Sequence, residues 1–215
     1  AFSTPPPMSR KRLFGSVFAV LYAFAEKAAP IAHASTTTRS MPRIRESRVP
    51  AAITAQMRKK GFERAVKENP GIEVLASQPG QYRRLPAQQV FENLMQRFPQ
   101  IDGVVCANDD MAVGVSEALA AAGRGGKTKV VGIDAIPDGI AAIQSGKMQA
   151  TADYSGHDQG YLATVAAIRH LRGEKFPKEI ALPVVIVEKG NSQPWAMPVE
   201  EKPTPDWNKV IGSQK

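Results

Sequence analysis

The sequence contains a single cysteine and none of the common catalytic motifs, and these absences exclude several classes of protein. Cys106 is the one cysteine among 215 residues, so no disulfide forms within the chain, and its apolar surroundings favour a buried hydrophobic role. The motifs CxxC, HExxH, GxxxxGK[ST] and GxSxG are all missing. No nucleophile–base pair and no metal-ligand spacing emerges. We therefore predict that the chain is not an enzyme and uses neither a cofactor nor a metal.

A net positive charge is lacking in the part of the chain predicted to fold. The net charge is +8, but residues 1–60 hold 11 Lys and Arg against 2 Asp and Glu. Residues 61–215 hold 17 against 18, which is close to neutral. A nucleic-acid surface needs its positive charge on the folded face. No nucleic-acid partner is therefore expected.

The first 34 residues lack an apolar run long enough to span a bilayer, yet they have the parts of a secretory signal. Met8 precedes a basic SRKR, a 13-residue apolar run covers Leu13–Ala25, and a small-x-small site follows at Ala32–Ala34. The intervening AEKAAPI is longer and more charged than usual, so a buried amphipathic helix is the alternative. Residues 35–50, rich in Arg, Ser, Thr and Pro, are predicted to form an irregular linker.

From residue 51 onwards, strands and helices alternate about every 25–30 residues, which is typical of an α/β fold with a doubly wound, mostly parallel sheet. The first helix is predicted over Ile53–Lys67, with Ile53, Met57, Phe62 and Val66 near one apolar face. The predicted units are an α/β domain (51–154), a segment with a long helix (155–182), a last strand (183–190) and a Pro-rich extended tail (191–215). A capping box of Ser155 and Asp158 is predicted to start the long helix. The tryptophans of the tail are expected to cover apolar patches.

Two polar residues follow short apolar strands in the centre of this pattern. Asn108 comes after Gly103–Ala107, and Asp134 comes after Lys129–Ile133. Ligands of open α/β sheets bind at the carboxyl ends of the strands, so both residues should lie on one rim. Each has a second interpretation as a helix cap, Asn108 for the helix that it precedes and Asp134 for the helix beginning near Pro137. The two roles are compatible, because the cap position is also the rim.

Three further residues have an ordinary interpretation beside a functional one. Arg58 is either a clamp for hydroxyl or carboxyl groups or part of a solvated helix face. Tyr82 is either a stacking aromatic or an exposed loop residue. Tyr154 ends a strand and is a hinge residue, a ligand contact or part of the core.

The runs DGVVCANDDMAVGVSEALAAAG and VVGIDAIPDGIAAIQSGKMQAT resemble the type I periplasmic sugar-binding proteins of ABC importers, the ribose-binding-protein family, and the likeness covers about residues 51–190. It implies two Rossmann-like lobes joined by three crossovers, with a monosaccharide or polyol in the cleft. It also implies a monomer in the periplasm that delivers its sugar to an ABC permease of the inner membrane. The sugar-binding positions that it implies are Arg58, Tyr82, Asn108, Asp134 and Tyr154, the last of which replaces a glutamine of the ribose protein.

Compared with this family, we expect the sequence to lack most of the first lobe. The helix that follows Tyr154 packs on that lobe in the family, so Tyr161, Ile168 and Leu171 are expected to lose their partner. We therefore expect sugar binding that is impaired by truncation. Two alternatives remain: an effector domain of a lactose-repressor-type regulator, for which residues 1–50 offer no helix-turn-helix, and a non-functional fragment.

Overall fold

A six-stranded sheet organises the protein. The computed structural model describes residues 53–212 and the backbone of residues 16–22. The strand order is β2-β1-β3-β4-β5-β6, and every pair is parallel except β5 with β6. The strands are β1 (Ser16–Tyr22), β2 (Ile72–Pro79), β3 (Gly103–Cys106), β4 (Lys129–Ile133), β5 (Ala150–Asp153) and β6 (Val185–Glu188). The expectation of a mixed α/β fold with a mostly parallel sheet is confirmed.

Helices connect the strands and cover the sheet. Asn108, Pro137 and Gly123 lie at helix ends, as their residue types predict. None of the helices in the described residues is both long and apolar enough to cross a membrane. The α-helices are α1 (Ile53–Glu68), α2 (Arg84–Arg97), α3 (Asp109–Ala121), α4 (Pro137–Gln144), α5 (Gly156–Leu171) and α6 (Trp207–Gly212).

The centre of the apolar run assigned to a signal peptide forms β1, an interior strand. It pairs with β2 on one side, where Ser16 lies opposite Ile72, and with β3 on the other, where Phe18 lies opposite Gly103. The amphipathic-helix alternative is wrong for these residues. A parallel strand covered on both faces and the apolar part of a signal have the same composition, so residue type alone does not separate them. The rest of residues 1–34 and the linker at 35–50 lie outside the described residues.

The main core lies where α2 and α3 pack on each other and on the sheet. Phe91, Met111 and Leu119 are fully buried there, together with Val104 and Val130 from β3 and β4. The predicted apolar face of α1 is only partly buried: Ile53 and Met57 are 74% and 67% exposed, whereas Phe62 and Val66 are half-buried, and the residue of α1 in the main core is Ala55. Periodicity identified the helix but not the face that packs.

The carboxyl-terminal elements depart from the prediction in two respects. The capping box at Ser155 is wrong: Ser155 has a left-handed φ of 58° and its side chain makes no cap bond. Residues 191–215 are not extended throughout, since two 3-10 turns and α6 occur within 193–212. On α5, Leu162 is buried, whereas Tyr161, Ile168 and Leu171 are exposed.

Gly114 allows the close contact between α3 and α2. A β-carbon added at Gly114 would overlap the backbone carbonyl of Arg84, which no side-chain rotation relieves. We expect Gly114→Ala to lower the free energy of unfolding by about 1–3 kcal/mol, as overpacking does. Urea denaturation measures this value.

Gly61 provides the matched control, because it also lies inside a helix but has open space around it. Gly61→Ala should leave stability unchanged or raise it by up to about 1 kcal/mol through helix propensity. An equal loss of unfolding free energy in the two variants would show that the close contact between α2 and α3 is not the reason why Gly114→Ala is destabilising.

Candidate functional site

Arg58 joins the tips of the two central strands. Its guanidinium donates from Nη1 to the backbone oxygen of Ala107 at 2.7 Å and from Nη2 to Oδ1 of Asp134 at 3.1 Å. Ala107 follows β3 and Asp134 follows β4, and these strands are neighbours in the sheet. The structure therefore brings the polar tip of each strand to one rim, with an arginine from α1 lying across them.

Asn108 combines the two roles that the sequence left open. Its Oδ1 accepts a hydrogen bond from the backbone N–H of Met111 at 3.0 Å, which caps α3. Its Nδ2 donates to the backbone oxygen of Tyr82 at 3.4 Å. The residue is 9% exposed and sits at the rim. It therefore fixes both the helix start and the loop that carries Tyr82.

Asp134 does not cap α4, because Ile136 occupies the N-cap position. Asp134 instead has a positive φ of 116°, which is strained for a residue with a β-carbon. Burial raises the pKa of its carboxyl group above the ordinary value, although the charge of Arg58 and hydrogen bonds from Arg58 and Tyr154 oppose the rise. Backbone strain and a half-buried carboxylate at one residue are typical of a functional position.

Tyr154 faces Arg58 from the next strand along the sheet. The guanidinium carbon of Arg58 lies 5.4 Å from the centre of the Tyr154 ring, within the range of a cation–π interaction. The ring is 36% exposed, so it is not a core residue. Arg58, Asp134 and Tyr154 thus form one contiguous polar and aromatic surface.

Tyr82 packs against the main core, so the interpretation as a plain exposed loop aromatic is wrong. Its φ of 58° is left-handed. Its hydroxyl oxygen is buried and has no hydrogen-bond partner among residues 53–212. Only its backbone oxygen is linked to the rim, through Asn108.

Asp109, in the first turn of α3, supports the site although the sequence analysis did not single it out. It is fully buried, and its Oδ1 accepts from the hydroxyl of Thr151 at 2.7 Å while its Oδ2 accepts from the N–H of Ile136 at 3.1 Å. Side chains at Gly132 and Gly139 would collide with this carboxyl group. Asp109 therefore holds the loop after β4, which carries Asp134, against β5.

The other charged or reactive side chains near the site are already paired or buried. Arg84 forms ion pairs with Asp110, Asp138 and Glu117, which ties the ends of three helices together. Burial raises the pKa of the Cys106 thiol, which is fully enclosed in β3. No cluster of three His, Cys, Asp or Glu side chains suited to a metal occurs in the described part of the chain.

A cavity of about 910 Å³ extends from the rim towards the carboxyl-terminal segment. Asp134 and Tyr154 line it on the rim side, and Trp195 lines it on the other. The site is therefore a strand-tip rim that continues into a recess, large enough for a small hydroxylated molecule.

Comparison with known proteins identifies the family and agrees with the observed fold. The family described as periplasmic binding protein domain matches residues 47–175. The D-allose-binding periplasmic protein of Escherichia coli K12 is 40% identical over 107 residues, which are 50% of this chain and 34% of that protein. The ribose import binding protein of the same strain is 35% identical over 135 residues, 63% of this chain and 45% of that protein.

A solved structure gives the same result in three dimensions. An ABC transporter periplasmic solute-binding protein from Actinobacillus succinogenes 130z, crystallised with D-allose, superposes with a TM-score of 0.69 at 28% identity. The superposition covers 85% of this chain and 56% of that one. The chain thus spans about a third to a little over half the length of these three proteins.

Asp109 should make stability depend on pH. Burial, the largest effect, raises its pKa from 3.8 to about 6, against the hydrogen bonds from Thr151 and Ile136. Between these values the folded state holds the proton more tightly than the unfolded state, so stability falls as pH rises through this window. The full effect is about 3 kcal/mol. Urea denaturation at pH 4 and pH 6.5 should show a smaller fall for Asp109→Asn than for the unchanged chain. Equal falls would contradict this prediction.

The buried hydroxyl of Tyr82 should be dispensable. Because a buried polar atom without a partner costs roughly 1–3 kcal/mol, Tyr82→Phe should leave the free energy of unfolding unchanged or raise it by about 1 kcal/mol. Tyr82→Ala is the contrasting variant, since it removes the ring from the core and should lower stability by about 3–5 kcal/mol. A loss above 1 kcal/mol in Tyr82→Phe would show that the hydroxyl has a partner.

Proposed function

Because the chain belongs to the periplasmic binding protein domain family, we propose that it is the substrate-binding component of an ABC sugar importer and that its rim binds a monosaccharide or a polyol. The observation that carries this proposal is the contact of Arg58 with both strand tips. A hydroxyl beside this ion pair would accept a hydrogen bond from the guanidinium of Arg58 and donate one to the carboxylate of Asp134. Such charge-assisted bonds suit a molecule that offers several neighbouring hydroxyls.

The five proposed site residues contribute different chemistry. Arg58 provides fixed donors, Asp134 provides acceptors, and the amide of Asn108 provides one of each. The ring of Tyr154 provides a flat surface for the C–H face of a sugar. The ring of Tyr82 packs against the main core, so Tyr82 supports the rim through the backbone oxygen that Asn108 binds. Tyr154 is polar and aromatic, and for that reason we assign a broader ligand class than ribose.

The partial length of the chain and the exposed side chains of α5 support the proposal that binding needs a second wall. The chain spans 34% and 45% of the two relatives above, and Tyr161, Ile168 and Leu171 of α5 are exposed. We propose that the chain alone binds sugar weakly, that a first lobe closes the cleft by hinge motion, and that the protein acts in the periplasm with a membrane permease.

Calorimetric titration with D-allose, D-ribose and xylitol tests the proposal on the full chain and on a fusion with the first lobe of the E. coli D-allose relative. We expect weak binding by the chain and tighter binding by the fusion. In the fusion, Asp134→Asn should weaken binding at least about tenfold, since a hydrogen bond to a charged group contributes about 1.5–3 kcal/mol.

Glu63→Gln is the matched control, because it also neutralises one carboxylate of an ion pair on the surface of α1, here with Lys59. It should leave binding unchanged. The sugar assignment fails if the fusion binds none of the three compounds, or if the control loses as much affinity as Asp134→Asn.

A further inference from the structure

Trp195 makes an unusual contact for a residue of a terminal segment. It ends the 3-10 turn Gln193–Trp195, and its indole Nε1 donates a hydrogen bond to Oδ2 of Asp153 at 2.7 Å. The indole ring packs against a small buried cluster made of Ala135, Ile140 and Val187. The segment therefore returns to the sheet and contacts β5 through a specific polar bond as well as through apolar packing.

Asp153 transmits this contact to the rim. Its other oxygen, Oδ1, accepts from the backbone N–H of Ser155 at 2.8 Å. Tyr154 lies between the two residues, and Gln159 donates to its backbone oxygen at 2.6 Å. Ser155 has a φ of 58°, a strained value that needs support from its surroundings. The carboxylate of Asp153 thus stabilises the sharp turn that presents Tyr154, and Trp195 holds that carboxylate in place.

The same indole supports the neighbouring strand tip. Ala135 follows Asp134 directly and also has a positive φ, of 54°. It is buried in the cluster that Trp195 covers. Asp134 and Tyr154, which follow the neighbouring strands β4 and β5, are therefore each next to a residue of this contact: Ala135, in the cluster on which Trp195 packs, and Asp153, which accepts its hydrogen bond.

We infer that Trp195 is a positioning residue for the candidate site: it holds Tyr154 through Asp153 and Asp134 through Ala135. The inference rests on the proposed function, since the positions of Tyr154 and Asp134 matter for sugar binding only if the rim binds sugar. Specificity would then depend partly on a segment far along the chain, because Trp195 also lines the cavity that begins at the rim.

The second tryptophan shows what an ordinary anchor of the terminal segment looks like. Trp207 packs edge to face on Phe176, with ring centres 5.6 Å apart, and lies under the guanidinium of Arg169 at 4.9 Å. None of these residues lines the rim. Trp207 is thus a control of the same residue type and the same segment.

Nuclear magnetic resonance on the full chain tests the inference with Trp195→Phe, which keeps an aromatic ring and removes the N–H donor. We expect the amide hydrogen of Ser155 to exchange at least about fivefold faster, and the ring signals of Tyr154 to move. Trp207→Phe should change neither signal. Both variants should remain folded, as a cooperative thermal transition would show.

Asp153→Ala gives a second path to the same result if Trp195→Phe does not fold, because it breaks the link from the other end. It should move the Tyr154 ring signals in the same way. Unchanged Ser155 exchange and Tyr154 signals in the folded variants, or an equal change in Trp207→Phe, would overturn the inference. A failure of sugar binding would instead reject the proposed function, since these signals are measured without sugar.

Discussion

The buried carboxylate of Asp109 is the constraint on which the site depends. One side chain at the start of α3 accepts hydrogen bonds from Thr151 on β5 and from the backbone after β4, so it fixes three neighbouring strand tips relative to one another. Burial away from water destabilises the charged carboxylate and raises its pKa. Hydrogen bonds to its oxygens oppose this effect, so the buried group needs these partners. The glycines at 132 and 139 follow from the same requirement, because a larger residue would occupy the space of the carboxyl group.

The backbone is strained at three residues next to the strand tips that Asp109 holds together. Asp134, Ala135 and Ser155 all have left-handed backbone angles although none is glycine. Each such residue costs of order 1–3 kcal/mol and persists only where its surroundings hold it. Here the surroundings are the Arg58 bridge, the Asp109 carboxylate and the Trp195–Asp153 contact. The result is a set of polar side chains in fixed positions, as a binding site for a rigid hydroxylated molecule requires.

Particular elements show where reasoning from residues fails. Residue type alone did not predict a strand at 16–22, because an interior parallel strand has the same composition as the apolar part of a signal; the strand is seen from its pairing with β2 and β3. Ser155 and Asp158 have the spacing of a capping box, but Asp153 binds the Ser155 amide and imposes a left-handed turn. On the predicted face of α1, Ile53 and Met57 are exposed, because helical periodicity gives the spacing of apolar residues without the direction of the neighbouring element.

The amino-acid sequence alone determined the alternation of strands and helices, the parallel sheet, the cap at Asn108 and the strand-tip positions of Asn108 and Asp134, because these depend on local periodicity and on chain direction. Tertiary structure alone decided that Arg58 bridges two strands, that Asp109 holds the loop after β4, and that Trp195 reaches Asp153 across 42 positions of sequence. Contacts between distant positions depend on how whole elements pack, and no local pattern of residue types encodes that geometry.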